Sequence, residues 1–343
     1  MRSIVAGLAV IASAQVIAQV AVIDATGRSV KIPAEVKKVY AAGPPASVFV
    51  LALAPSRLAG WTRALREDEI PFLPPEVVKL PELGRLTGRG GTANVEVLMA
   101  TRPDVIVDIG STSPTYVSLA ERVTQTTGIP YLLFDGKLKD TPRLLRELGR
   151  AIGAKEEGES LAAYVDTTLA GIAVRVATIA EAQRPRVFYA RGPNGLSTAP
   201  RGSLQAEVLD LAGARNVAEP PPGFPGNLVT VSLEQVLLWQ PDVIVTIDPA
   251  FPAAVRARPE WQAVPAVKNG RIYVALELPF GWIDAPPALN RLLGLEWLVR
   301  ILHPKVFTEP LGPRIKEFHT RFYHRTPTDA QVEALLRTAG LAR

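Results

Sequence analysis

A segment of 14 residues occurs twice in this chain, and the repeat limits the folds that the chain can adopt. Residues 95–108 and 233–246 lie 138 positions apart, share six identities and pair apolar with apolar at four further positions. Each copy reads as a helix, a Pro-Asp turn and the run Val-Ile-Val, which is typical of a parallel strand buried on both faces. A solenoid needs three or more repeats at a shorter period. Two copies at this distance therefore predict two similar α/β lobes.

The residues at the ends of each repeat support this interpretation. Asn94 and Ser232 are good N-caps, and Ser232 with Gln235 predicts a capping box. Each helix must end before its proline. Further strand-like runs at residues 39–41, 129–134, 186–190 and 271–275 predict additional βα units around the two copies.

One long helix is predicted between the lobes. The chain has 31 prolines, yet none lies between Pro142 and Pro185. Apolar residues from Leu161 to Ile179 recur at spacings of 4, 4, 3, 4 and 3, which indicates a helix over residues 156–181. Such a helix is about 39 Å long. Gly171 leaves a bent helical hairpin open as the alternative. The predicted organisation is a signal peptide (1–18), an N-terminal α/β lobe (19–153), a connecting backbone helix (154–183), a C-terminal α/β lobe (184–303) and C-terminal helices (304–343).

The N-terminal segment resembles an export signal. Arg2 precedes an apolar run at residues 4–14, which is shorter than the roughly 20 residues of a membrane span. Small residues before position 19 suit signal cleavage. An N-terminal membrane anchor is the alternative. The chain has no cysteine, so it offers no disulfide, thiolate metal site or lipidated cysteine. We therefore expect a periplasmic protein that is neither a lipoprotein nor inserted in the membrane.

Composition and motifs narrow the function classes. The net charge is +5 with scattered basic residues, so no nucleic-acid partner is expected. His303, His319 and His324 all lie near the C-terminus, where we expect surface positions, and no metal site is predicted. Gly-x-Ser-x-Gly and Walker motifs are absent, and a catalytic triad would need one of these distant histidines. The chain is therefore not expected to be an enzyme.

A series of short motifs resembles the helical-backbone class of periplasmic substrate-binding proteins, which serve ABC importers for iron–siderophore complexes, haem and vitamin B12. The series begins with Asp24-Ala25-Thr26-Gly27-Arg28 and includes both Pro-Asp-Val-Ile-Val units. It continues with 195–196, 202–203 and 213–218, and it ends with 280–287 and 291–298. The resemblance covers nearly the whole mature chain. It implies an α/β fold of two similar lobes with parallel sheets, joined by one long α-helix, with little hinge motion and a ligand cleft between the lobes.

The resemblance also implies partners. Such proteins deliver a small-molecule metal complex to a membrane permease and its ATPase, and the permease recognises one acidic residue on each lobe. By motif position these residues are Glu96 and Glu234. Their alternative role is structural, because each lies in the first turn of a helix, where the helix dipole favours an anion. No resident cofactor is expected, and the chain is expected to be a monomer.

Ligands of α/β lobes bind beyond the carboxyl ends of the strands, which selects five loops. Arginines there suit an anionic chelate or oxyanion, and aromatic rings suit the walls. The backbone N–H groups of the helix after residues 42–47 are also expected to bind an anion. The candidate ligand-binding residues are Arg191, Arg201, Trp282, Tyr116, Arg63, Arg89, Trp61 and Tyr189.

The ligand itself stays open at this stage. A ferric siderophore is the leading expectation, with haem or cobalamin as alternatives within the same class. A carrier of molybdate or tungstate is a second alternative, because arginines and a helix N-terminus would serve a small oxyanion. A ligand sensor that works without a transporter is the third.

Overall fold

The computed structural model describes residues 18–88, 91, 93–224 and 228–341. Residues 1–17 of the predicted signal peptide lie outside this part of the chain. The strands of the described part are β1 (Gln19–Ile23), β2 (Ser29–Pro33), β3 (Val39–Ala41), β4 (Val105–Gly110), β5 (Tyr131–Asp135), β6 (Arg186–Ala190), β7 (Ser197–Thr198), β8 (Arg215–Asn216), β9 (Val229–Thr230), β10 (Val243–Thr246) and β11 (Ile272–Val274). The α-helices are α1 (Pro44–Leu53), α2 (Pro75–Val78), α3 (Val95–Thr101), α4 (Pro114–Thr127), α5 (Thr141–Ala151), α6 (Lys155–Ala177), α7 (Glu207–Leu211), α8 (Leu233–Trp239), α9 (Phe251–Arg256), α10 (Pro265–Lys268), α11 (Arg291–Leu302), α12 (Gly312–Phe322) and α13 (Asp329–Thr338).

Two parallel sheets form the centres of two lobes. The N-terminal sheet has the order β3-β4-β5, and the C-terminal sheet has the order β11-β10-β6-β8. Their central strands are almost wholly buried, as expected of strands covered by helices on both faces. The antiparallel hairpin β1-β2 joins the N-terminal lobe through Asp24, whose carboxylate accepts a hydrogen bond from the Leu133 amide at 3.2 Å. The predicted α/β architecture of two lobes with parallel sheets is confirmed.

Both copies of the repeat fold as helix, turn and strand. They are α3 with β4 and α8 with β10. The Asn94 side chain accepts a hydrogen bond from the Glu96 amide at 2.9 Å, so it caps α3 as predicted. The Ser232 hydroxyl accepts one from the Gln235 amide at 3.3 Å. The reciprocal bond from the Gln235 side chain to the Ser232 amide does not form, so the prediction of a capping box was wrong in that half.

The similarity of the copies extends to the turns. Arg102 and Gln240 end the two helices with φ values of 48° and 44°, the left-handed conformation that closes many helices. The aspartate of each Pro-Asp pair then holds a neighbouring strand. Asp104 accepts hydrogen bonds from the Lys37 and Lys38 amides at 2.7 and 2.8 Å. Asp242 accepts one from the Arg186 amide at 2.8 Å.

The connecting helix α6 is continuous through Gly171 and runs from Lys155 to Ala177, which excludes the bent hairpin. It is shorter than predicted, because the chain turns extended at Ala180 and then forms a short 3-10 turn at Glu181–Gln183. The helix packs closely on α5. A side chain at Gly158 would meet the Leu145 carbonyl at 2.6 Å, so only glycine permits this approach.

By length and composition, α6 is the single described helix that could cross a membrane. Its apolar stripe is instead buried: Leu161, Val165 and Ile172 belong to the large hydrophobic core.

The C-terminal helices pack on the N-terminal lobe. The His324 ring lies 3.1 Å from the Leu51 carbonyl, and the Arg325 guanidinium donates to the Leu73 carbonyl at 3.0 Å. The expectation of three surface histidines was wrong for two of them. His303 is buried with its Nε2 3.0 Å from the Ala212 carbonyl, and His319 is buried among aromatic rings. His319 is buried because the apolar face of α12 packs against the hydrophobic core of the N-terminal lobe.

Candidate functional site

A cavity of about 1250 Å³ lies between the two lobes. The N-terminal lobe contributes the segments that follow β3, β4 and β5, so the cavity lies at the carboxyl ends of these strands. The C-terminal lobe contributes Arg191 after β6, residues 202–211 and residues 284–287. The polar and charged lining residues are Arg63, Arg85, Thr87, Asp108, Ser111, Thr112, Ser113, Tyr116, Asp135, Lys137, Lys139, Arg191, Ser203, Gln205, Glu207, Asp210 and Asp284.

The charges of this lining balance. Five are cationic, namely Arg63, Arg85, Lys137, Lys139 and Arg191. Five are anionic, namely Asp108, Asp135, Glu207, Asp210 and Asp284. Over the described residues, the walls therefore carry no large excess of positive charge for a polyanionic ligand.

Carboxylates of the protein itself pair with Arg63, Lys137 and Arg191. The Arg63 guanidinium donates to both oxygens of the buried Glu69 at 2.5 and 2.9 Å, and these hydrogen bonds raise the pKa of Arg63. The Lys137 ammonium donates to Asp135 at 2.7 Å. The Arg191 guanidinium forms a 3.0 Å ion pair with Asp284, and both side chains are largely buried. An anionic ligand would have to compete with these carboxylates.

The N-terminus of α1 differs from expectation. The helix begins with Pro44 and Pro45, which have no backbone N–H. The next two amides, of Ala46 and Ser47, donate to the Gly43 carbonyl at 3.1 and 3.4 Å. The first turn therefore offers no free N–H group to an anion, and the predicted anion site at this helix was wrong.

The floor of the N-terminal wall is a polar cluster that sequence reasoning missed. Asp108, near the end of β4, is 4% exposed and lines the cavity. The Thr87 hydroxyl donates to its Oδ1 at 3.0 Å, and the Tyr131 hydroxyl donates to its Oδ2 at 3.1 Å. Burial raises the pKa of Asp108, and burial together with the Asp108 charge raises the pKa of Tyr116 nearby. The only signal for this cluster was an aspartate inside an otherwise apolar strand.

A second unpredicted cluster ties the lobes together at the cleft. Arg291, fully buried at the start of α11, donates to the Leu204 carbonyl at 2.9 Å, to Glu207 at 3.2 Å and to the Gly136 carbonyl. Glu207 in turn accepts from the Leu138 amide at 2.6 Å. One cation and one carboxylate thereby link three segments distant in sequence. Burial lowers the pKa of Arg291, and the partners offset that cost.

Six of the eight predicted ligand-binding residues divide into two groups. Arg63, Tyr116 and Arg191 line the cavity. Trp61, Tyr189 and Trp282 do not line it, because their rings pack in the core. The Trp61 indole donates to the Val77 carbonyl at 2.7 Å, and the Trp282 indole to the Leu278 carbonyl at 3.2 Å.

The remaining two predicted residues contribute nothing to the described lining. Arg201 is exposed outside the cavity and pairs with Glu219. Exposed residues can pair at the surface without reaching a cleft, so loop position alone misjudged Arg201. Arg89 lies outside the described residues.

The two predicted docking residues occupy equivalent places. Glu96 and Glu234 are exposed in the first turns of α3 and α8. Hydrogen bonding to Ser232 lowers the pKa of Glu234. Exposed apolar side chains lie beside both, namely Val95 and Met99 on α3 and Leu238 on α8.

No group of three or more histidine, cysteine, aspartate or glutamate side chains could hold a metal ion within the part of the chain that the structure describes.

Comparison with known proteins supports this description. A family profile described as periplasmic binding protein matches residues 67–277. The YvrC protein of Bacillus subtilis, named as an uncharacterized ABC transporter substrate-binding lipoprotein, is 25% identical over 83% of this chain and 86% of its own. The molybdate-binding protein MolA of Haemophilus influenzae is 26% identical over 78% of both chains.

Solved structures agree with the family match. An ABC transporter solute binding protein from Sulfurospirillum deleyianum superposes with a TM-score of 0.83 at 27% identity, over 92% of this chain and 99% of that chain. The structure of MolA bound to molybdate superposes with a TM-score of 0.71 at 21% identity, over 90% of this chain and 99% of that chain. The chain therefore belongs to the periplasmic binding protein family and is a substrate-binding protein of the ABC-transporter type.

Proposed function

We propose that this protein captures a polar metal chelate, of the ferric siderophore type, and delivers it to an ABC importer. The observation that carries this proposal is the size of the interlobe cavity. Small-molecule sites usually enclose about 300–1000 Å³, and this cavity of about 1250 Å³ exceeds that range. A four-oxygen anion would leave most of such a volume to water, whereas a metal wrapped in an organic chelator would occupy it.

The chemistry of the walls favours a hydrophilic chelate over haem or cobalamin. Tyr116 is the one aromatic side chain of the described lining. The other polar lining residues are charged side chains, hydroxyl groups such as those of Thr87, Ser111 and Ser203, and the Gln205 amide. A flat macrocycle would find few rings to stack on. Tyr116 is also the one described lining side chain that could serve haem as an axial phenolate ligand.

An oxyanion is the second candidate, and the similarity to MolA over 78% of both chains favours it. Arginines 63 and 191 line the cavity and would be its donors. Both are engaged with carboxylates, and the first turn of α1 offers no free amide. The oxyanion therefore ranks below the chelate.

Delivery requires docking on a permease, and we propose Glu96 and Glu234 as the docking residues. Their exposure at equivalent places in the two lobes suits two arginines of a two-fold symmetric partner. The neighbouring exposed Val95, Met99 and Leu238 would add apolar contact. Export through the N-terminal signal peptide would place the mature protein, as a monomer, in the periplasm with its permease and ATPase partners.

The test is direct binding on purified mature protein. Isothermal titration calorimetry would compare ferrioxamine B, ferric citrate, haemin, cyanocobalamin and sodium molybdate. Metal analysis of protein purified from the native periplasm would run alongside. We expect saturable one-to-one binding of a ferric chelate, weakened in an Arg191→Ala variant and unchanged in Arg201→Ala, which changes an arginine outside the cavity. Tight binding of molybdate alone would replace the chelate proposal with the oxyanion one.

An uptake assay distinguishes an importer component from a ligand sensor that works without a transporter. A Glu96→Ala/Glu234→Ala double variant should bind ligand normally and fail to support uptake of that ligand in cells. Normal uptake with the double variant would contradict the docking proposal.

A further inference from the structure

Asp108 stands apart from the other acidic residues of the cleft. Asp135, Asp284 and Glu207 each form an ion pair, with Lys137, Arg191 and Arg291 respectively. Asp210 is exposed, so water solvates its charge. Asp108 is buried at the cavity wall, and within the described residues no lysine or arginine pairs with it. A buried carboxylate without a cation is costly to keep ionised, so its presence here needs a cause.

The Asp108 carboxylate is held in a fixed orientation. Thr87 and Tyr131 each donate one hydrogen bond, to different oxygens, at 3.0 and 3.1 Å. Each carboxylate oxygen has two acceptor positions, so these two bonds do not saturate the carboxylate, and the Ile109 amide beside it also favours its charged form. Gly43 keeps the arrangement open, because a Cβ atom there would lie 2.6 Å from the Thr87 hydroxyl.

The groups around Asp108 do not neutralise it. The nearby titratable groups are the Tyr131 and Tyr116 phenols, and the pKa of each is raised, so both stay neutral at physiological pH. Burial also raises the pKa of Asp108 itself, so its ionised form is disfavoured until a cation lies beside it. A donor that carries positive charge would satisfy the free acceptor positions and supply the missing counter-charge in one contact.

We propose that Asp108 determines specificity by binding a protonated amine of the metal chelate. This inference rests on the proposed function and narrows it: the ligand class is a chelate with a cationic arm, such as a hydroxamate siderophore that retains a free amine. The amine would lie against the N-terminal wall, and the rest of the chelate would occupy the cavity toward Arg191 and the C-terminal lobe. Polyanionic catecholates and oxyanions would be disfavoured at the same position by charge repulsion.

The experiment compares two probes that differ only at the amine. Ferrioxamine B is a ferric tris-hydroxamate with one protonated amine, and N-acetylation removes that charge without changing iron coordination. We expect the wild-type protein to bind ferrioxamine B at least about tenfold more tightly than its N-acetyl derivative, since a hydrogen bond to a charged group contributes about 1.5–3 kcal/mol. This measurement needs no variant, so it does not depend on whether a variant folds.

The variant Asp108→Asn keeps the shape and removes the charge. It should bind both probes with affinities within about a factor of three of each other. The control Glu67→Gln removes one negative charge from an exposed residue outside the cavity lining. It should keep the wild-type preference, which separates a local contact from a change in net charge.

Three results would overturn the inference, and they are distinguishable. Equal binding of both probes by the wild-type protein removes the role of Asp108 and leaves the proposed function standing. An undiminished preference in Asp108→Asn does the same. Failure of both probes to bind, with tight molybdate binding, overturns the proposed function and the inference together.

Discussion

The two lobes repeat one helix–strand unit, and they differ at its last residue, where the strand meets the cleft. Positions 96, 104, 105, 106 and 107 keep their residue types 138 positions later, and they serve the helix start, the turn and the buried strand. Asp108 corresponds to Thr246, which is buried and whose hydroxyl accepts a hydrogen bond from the Asp248 amide at 3.0 Å. Thr246 does not line the cavity, whereas Asp108 does. The repeat is therefore preserved in the turn and the buried strand, and it differs at the strand end, where the N-terminal copy lines the cleft.

A further difference is the covering of the lobes. Helix α12 returns from the C-terminus to pack on the N-terminal lobe, with the His319 ring 5.5 Å from that of Phe72. The N-terminal sheet has three strands and the C-terminal sheet has four. The smaller sheet thus receives the additional helical cover. The two lobes therefore bury their cores differently: the N-terminal lobe has fewer strands and an added helix from the C-terminus.

The largest expected effect concerns the pair of residues that both copies keep. If Glu96 and Glu234 dock on the permease as proposed, the Glu96→Ala/Glu234→Ala double variant should lose ligand uptake almost completely, because it removes both proposed salt bridges. Each single variant should retain part of the uptake. If one single variant were as defective as the double variant, the two lobes would not dock equivalently. Cellular uptake of the ligand found by calorimetry is the measurement, with ligand affinity as the control.

The next largest effect is expected when the Arg291 contacts that link the two lobes are removed. Arg291→Met should lower the free energy of unfolding by about 3–5 kcal/mol, because it leaves Glu207 and two backbone carbonyls without a buried cationic donor. Denaturant unfolding followed by circular dichroism would measure it. Arg321→Met on the exposed face of α12 is the matched control and should change stability by less than about 1 kcal/mol. Equal losses would show that the link does not stabilise the lobes.

A smaller effect sharpens the comparison of the turns. Asp104→Ala removes an acceptor of two backbone amides, and Asp242→Ala an acceptor of one. We expect both to destabilise by about 1–3 kcal/mol, with the larger loss for Asp104→Ala. Thermal unfolding of the two variants side by side would test this order. The reverse order would mean that the two turns are not equivalent in stability.

The smallest effect at neutral pH concerns the added cover of the N-terminal lobe. The His319 ring nitrogens have no hydrogen-bond partner, and burial lowers the pKa of His319 to about 3. Below about pH 6.5 the His319 ring is therefore protonated in the unfolded chain, whereas it stays neutral in the folded protein until about pH 3. Stability should fall with decreasing pH from about 6.5 toward 3, by at most about 1.4 kcal/mol per pH unit from this group.

The variant His319→Leu should remove that part of the pH dependence and keep stability at pH 7 within about 1 kcal/mol of the wild-type value. Urea unfolding at pH 7, 6, 5 and 4 is the measurement. A parallel pH dependence in wild type and variant would contradict the assignment.

The local sequence pattern predicted the individual helices and strands well. It predicted poorly the helix start of α1 and the orientation of side chains in the connecting segments. Val105, Ile106 and Val107 form a buried strand because an apolar run of this length leaves few alternatives. The first turn of α1 was misjudged because a helix start was equated with free amides, although Pro44 and Pro45 remove two of them. Trp61 and Trp282 were placed in loops correctly but turned to the core, since their large apolar area gains most from burial.

The contacts between distant segments were beyond the reach of local pattern. Arg291 contacts segments near Gly136 and Leu204, and no periodicity connects these positions. Local pattern assigned no function to Asp108, because its environment depends on hydroxyl groups from Thr87 and Tyr131. Such sites become visible only when the strands are placed side by side.

The close crossing of α5 and α6 at Gly149 and Gly158 has a consequence for how this chain can change in length. An α-helix advances 1.5 Å and turns about 100° with each residue. A single residue inserted in α6 beyond Gly158 would therefore rotate everything after it by about 100°, and the orientation of Glu234 relative to Glu96 would change by the same angle. Insertions of whole multiples of seven residues would preserve the angle but lengthen the separation by about 10 Å. Helix α6 therefore sets the spacing and the relative orientation of the two glutamates, whereas a surface loop can change in length without altering either.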